Sequence, residues 1–141
     1  MSISTPNLFI LAGTIAAASG YGFWHRASRG RITAKKADFT PLVTEAEVGA
    51  PLGKRVTLLQ FSSAFCTPCR ATRTLLADIT EPMADVAHID IDAESHLELV
   101  RRLDIRSTPT TIILDGNGQE VARAVGAPKR EQVLNALAAI A

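Results

Sequence analysis

The chain has 141 residues, enough for one domain and an extension, and its two cysteines, Cys66 and Cys69, are too few and too close to tie distant segments together. A formal net charge of +1, with 21% charged and 47% hydrophobic residues, describes an ordinary globular composition and argues against nucleic acid as the main partner. Any disulfide in such a chain is functional and not a scaffold.

The first legible element is the uncharged run Leu8 to Trp24, which as a helix would reach about 25 Å, close to the hydrocarbon thickness of a bilayer. Tyr21, Phe23 and Trp24 gather at its C-terminal end, where amphipathic rings favour headgroups. The run predicts a single N-terminal transmembrane helix, an anchor over residues 1–27. Its rivals are a cleaved signal peptide, disfavoured because Met1 to Asn7 hold no Lys or Arg, and a core helix, which a chain of this size could not wrap. Arg26, Arg29, Arg31, Lys35 and Lys36 follow the run and no Lys or Arg precedes it. The positive-inside rule then predicts a single-pass cell-membrane protein with a cytoplasmic C-terminal domain, the extracytoplasmic orientation being the alternative. Residues 28–38 read as a basic juxtamembrane linker near anionic headgroups, and 39–141 as one folded domain.

Within that domain the pattern predicts strand Val56–Phe61, helix Thr67–Thr80, strand Val86–Ile91, helix Glu94–Leu103, strands Thr111–Leu114 and Glu120–Val125, and helix Lys129–Ile140. Strand–helix alternation makes the first half a βαβ unit with parallel strands, and Asp115-Gly116-Asn117-Gly118 turns the last two strands into an antiparallel hairpin. The fold class is therefore α/β, with a central mixed sheet flanked by helices. Val133, Leu134, Leu137 and Ala138 supply the sheet-facing side of the last helix.

Cys66-Thr67-Pro68-Cys69 stands at the first strand-to-helix junction, and its spacing is that of a reversible dithiol. At the first turn of a helix, unpaired amide N–H groups and the positive end of the macrodipole favour the Cys66 thiolate over its thiol. Cys69, one turn further in, is the less exposed resolving partner. His88 and His96, with Asp90 and Asp92, read as solvent-facing and strand-end residues and not as chemistry. A zinc site would be short of two ligands, so the only redox group expected is the Cys66–Cys69 pair itself, with no added cofactor.

Over Val56 to Ala141 these residues resemble the thioredoxin family. The resemblance rests on the strand leading into Cys-x-Pro-Cys, on Ile89-Asp90-Ile91-Asp92, on Ile105-Arg106-Ser107-Thr108-Pro109-Thr110, and on Asp115-Gly-Asn-Gly118. Membrane-tethered thioredoxin-like proteins of bacteria have a similar layout. The resemblance implies a thioredoxin fold, Cys66 as attacking thiolate, Cys69 as resolving thiol, and Pro109 as a cis-proline beside them. It further implies that Thr108, Pro109 and Ala127 line a groove for an extended substrate segment.

The departures are also specific. Gln60 stands where the family carries a buried aspartate thought to take the proton of the resolving cysteine, and an amide cannot act as a base near neutral pH. Phe65 replaces the tryptophan before the first cysteine, Ser62 a second aromatic, Thr67 a glycine, and Thr74 the helix-kinking proline, whereas Pro68 is retained and favours a reductase-like pair. The expected function is a membrane-anchored thiol–disulfide oxidoreductase exchanging disulfides with protein substrates and served by a thiol reductant or oxidant. The alternative is a redox-sensing or partner-binding module with little turnover.

Overall fold

The computed structural model describes residues 5–28, 30–34 and 43–140. In chain order the elements are α1 (Thr5–Ser28), β1 (Ile32–Ala34), α2 (Glu45–Val48), β2 (Val56–Ser62), α3 (Thr67–Thr80), β3 (Val86–Asp92), α4 (Leu97–Arg102), β4 (Thr110–Asp115), β5 (Glu120–Val125) and α5 (Arg130–Ala139). The sheet runs β1-β5-β4-β2-β3; only β2 and β3 are parallel, and the remaining pairs are antiparallel.

β2 is the centre of the molecule, because all seven of its residues are buried and it pairs on both edges. Its period of two sends Val56 and Leu58 to one face, where they pack with Leu76 and Ile79 of α3 and Val133 and Leu137 of α5. Leu59 and Phe61 go to the other, against Val48, Leu99 and Leu103. α3 buries Cys69, Thr72, Leu76 and Ile79, a 3- and 4-residue spacing that presents one stripe to the sheet. On α5 the inward side is Val133, Ala136, Leu137 and Ile140; Leu134 and Ala138, expected to face inward, are exposed.

The N-terminal expectation is corrected. Leu8 to Trp24 does form part of one helix, the 24-residue α1, but no helix among the described residues is long and apolar enough to cross a membrane. α1 is deficient in apolar weight and not in length. Gly13, Thr14, Ser19, Gly20 and Gly22, together with three consecutive alanines from Ala16, add little transfer free energy. The core-helix rival also fails, since Leu8, Phe9, Ile10, Leu11 and Ile15 are all exposed. Of the basic residues from which the orientation is drawn, Arg29, Lys35 and Lys36 lie outside the described residues, as does the expected domain start at Phe39.

Ile32–Ala34, inside the stretch expected to be a linker, instead forms β1 and pairs with β5 at Ile32↔Ala124 and Ala34↔Ala122. Gly30 makes that entry possible. Its N–H donates to the Val125 carbonyl at 2.7 Å, its φ is +79°, and a Cβ there would lie 2.1 Å from the Ala127 carbonyl oxygen. Gly30→Ala is therefore expected to lower the unfolding free energy by at least about 1 kcal/mol, the minimum cost of a left-handed L-residue, as read by urea denaturation. An unchanged midpoint would contradict this account of the entry.

Candidate active site

β2 ends at Ser62, and Ser63 to Phe65 carry the chain over the sheet end into Cys66, the N-cap of α3. The Cys69 N–H donates to Cys66 Sγ at 3.2 Å, so one otherwise orphaned helix amide is satisfied by sulfur. Cys66 is half-buried, Cys69 only 1% exposed, and a Cys66–Cys69 disulfide joins them with Cα atoms 5.2 Å apart. Phe65 is fully exposed at 101%, an apolar ring in water next to the cysteine that meets solvent. Thr67 and Pro68 are exposed as well.

The Thr108–Pro109 bond is cis. Ser63 Oγ and Thr108 Oγ1 lie 3.1 Å apart, which brings the loop before β4 to the loop before α3. The Gly126 N–H donates to the Pro109 carbonyl at 2.8 Å and adds the β5–α5 loop. Pro68, Thr108, Pro109, Val125 and Ala127 then wall a groove of about 690 Å³ together with Arg26 and Lys129. A larger hollow of about 750 Å³ between β1 and α5 lies away from Pro68 and Pro109, and neither opening is lined by a cysteine.

Beneath Cys69 is a polar network whose members are selected by sheet register. Parallel pairing sets Leu58 beside His88 and Gln60 beside Asp90, so Gln60, Ser62, His88 and Asp90 share the α3 face. Gln60 is fully buried, and its Nε2 donates to the Cys69 carbonyl and to Ser62 Oγ, each at 2.9 Å. Its Oε1 lies 3.1 Å from His88 Nε2. Ser62 Oγ donates to Asp90 Oδ1 at 2.6 Å, and Arg73 Nε of α3 donates to Asp90 Oδ2 at 2.8 Å. Thus the buried amide is fully satisfied, and its bonds fix the first turn of α3 to the sheet.

His88 differs from the solvent-facing reading. It is half-buried on the α3 face, and the sequence signal that could have placed it is its even spacing from the buried Val86. Burial lowers its pKa from the usual 6.5, with Asp90 raising it and Arg73 lowering it further. Asp90 and Asp92 do structural work, Asp90 in the network above and Asp92 by accepting from the Glu94 N–H at 3.1 Å and from Ser95 Oγ at 2.5 Å. His96 Nδ1 lies 3.0 Å from the Asp92 carbonyl. Among the described residues no group of three or more His, Cys, Asp or Glu is disposed to hold a metal ion.

The lowered pKa of His88 has a thermodynamic consequence. As pH falls below about 6.5 the unfolded chain takes up a proton that the folded chain refuses, so stability is full above that value and declines toward the lowered folded pKa. Unfolding free energies measured by denaturant between pH 8 and pH 5 are expected to fall in the acid half of the range, and His88→Gln is expected to flatten the curve there. Identical pH dependence in the two proteins would contradict the burial account.

The sequence matches the thioredoxin family profile over residues 32–139. It is 38% identical over 74 residues to Thioredoxin H5 of Oryza sativa subsp. japonica, covering 52% of this chain and 53% of that protein. It is 28% identical over 90 residues to Thioredoxin-2 of Saccharomyces cerevisiae, covering 62% and 86%. The chain spans only about half to three fifths of the length of the curated plant relatives it matches. Among solved structures, thioredoxin NaTrxh of Nicotiana alata superposes with a TM-score of 0.56 at 22% identity, over 62% of this chain and 74% of that one, which supports the fold.

Proposed function

The chain belongs to the thioredoxin family, and from that premise we propose that it is a thiol–disulfide oxidoreductase that exchanges disulfides with protein substrates through Cys66 and Cys69. The observation that carries the proposal is the asymmetry of the pair. Cys66 caps α3 with its sulfur accepting an amide N–H and partly open to solvent, whereas Cys69 is enclosed.

When the pair is reduced, the Cys69 N–H and the positive end of α3 favour a thiolate at Cys66. That thiolate attacks one sulfur of a substrate disulfide; the substrate S–S bond breaks, a Cys66–substrate disulfide forms, and the other substrate sulfur leaves as a thiolate. Cys69 then attacks Cys66 Sγ. The mixed disulfide breaks, the Cys66–Cys69 bond forms, and the departing substrate sulfur takes up the proton Cys69 loses. Two electrons pass to the substrate, and a thiol reductant returns the pair to its starting state.

Gln60 stands directly beneath Cys69 as an amide that cannot take a proton, and the proton of the resolving step goes to the leaving thiolate. The groove beside Pro68 is the place for the substrate backbone, with Thr108, Pro109 and Ala127 along it. Phe65 offers the partner an apolar contact next to the reacting sulfur. The relatives' name, thioredoxin, supports the same chemistry. The alternative, a partner-binding module with little turnover, gains no specific support from the site, whose pair is open to attack on one sulfur alone.

Cys69→Ser is expected to accumulate a mixed disulfide between Cys66 and a disulfide-bearing protein such as insulin, visible as a reductant-sensitive mass increase. Cys66→Ser is expected to form no adduct and to lose insulin reduction by at least about a thousandfold, the scale of removing an activated nucleophile. Full turnover in Cys66→Ser, or binding of partners with no exchange in the unaltered protein, would overturn the proposal.

A further inference from the structure

The groove wall is chemically one-sided. Its two charged side chains are Arg26, near the C-terminal end of α1, and Lys129, the N-cap of α5. Among the described residues no carboxylate lines the groove and neither cation has an ion-pair partner, whereas Arg106, two residues before Thr108, is paired with Asp104. Four residues on from Arg26, Gly30 is bonded to Val125 and lies against the Ala127 carbonyl, both of them residues of the groove wall.

Resting on the exchange reading above, we infer that this groove selects substrate segments that carry Asp or Glu beside the disulfide, with Arg26 and Lys129 as the specificity-determining residues. An extended segment laid between Pro68 and Pro109 passes both cations, and each carboxylate it carries meets a positive side chain that no carboxylate among the described residues satisfies. The same arrangement rejects basic segments, since Lys or Arg placed there would face two like charges with no counter-ion in the wall. Both cations are solvated at the rim, so each contact is modest and weakens with salt.

The test uses the reduced 141-residue chain and three disulfides: two synthetic peptides with the same internal disulfide flanked by Asp in one and Lys in the other, and neutral bis(2-hydroxyethyl) disulfide. Second-order rate constants are read by thiol alkylation and mass spectrometry. At about 20 mM salt the Asp peptide is expected to react at least about fivefold faster than the Lys peptide, and at about 0.5 M salt the ratio is expected to fall toward one. In Arg26→Glu/Lys129→Glu the order of the two peptides is expected to reverse. A ratio near one in the unaltered protein at low salt overturns the inference, as does the same ratio in the double variant; if that variant does not fold, Arg26→Gln and Lys129→Gln are read singly, and an unchanged ratio in both overturns it. Loss of all reaction, the neutral disulfide included, overturns the exchange reading itself and is thereby distinguishable.

Discussion

Everything at the site follows from the complete burial of β2. A strand paired on both edges and covered on both faces has no freedom of register, and a slip of one residue would send Leu59 and Phe61 to the face that now holds Leu58 and Gln60. That constraint fixes where the strand ends and hence where Cys66 begins the next helix. It also fixes what lies under the helix. Gln60 and Ser62 must face α3, and a buried amide and hydroxyl are tolerable there because Cys69, His88 and Asp90 satisfy them.

The consequence is a helix N-terminus whose direct support at the Cys69 carbonyl is an uncharged amide, with the Asp90–Arg73 pair further out in the network. A carboxylate at residue 60 would oppose thiolate formation at Cys69 through like charge and could accept its proton; the amide does neither. The chemistry is thereby concentrated in the single exposed sulfur and in the leaving group of the substrate. Arg73 and Asp90 complete the support by tying α3 to β3 outside the hydrophobic contact of Leu76 and Ile79.

Where the sequence was legible, strong local signals coincided. α3 runs over the expected Thr67–Thr80 because Cys66 and Pro68 mark its start and its apolar spacing is unbroken. β5 likewise matches Glu120–Val125, bounded by the Asp115–Gly118 turn. Legibility failed where context decides. β1 is three residues long and is a strand only because β5 offers an edge. α4 begins at Leu97, later than Glu94, because the Asp92 side chain holds Glu94 and Ser95 in a turn. His88 is half-buried because the β3 face opposite Ile89 and Ile91 is covered at this position by α3. Leu8 to Trp24 is free of charge, yet its glycines, alanines and hydroxyl residues leave it short of the apolar weight that a membrane span needs.

The account's central claim is that the reduced pair is unequal, with Cys66 reactive and Cys69 shielded. The direct measurement is a brief exposure of the fully reduced, folded protein to iodoacetamide at neutral pH, followed by peptide mapping of the two cysteines. Alkylation confined to Cys66, with Cys69 modified only after unfolding, is the predicted result. Equal labelling of the two sulfurs, or labelling of Cys69 first, would contradict it.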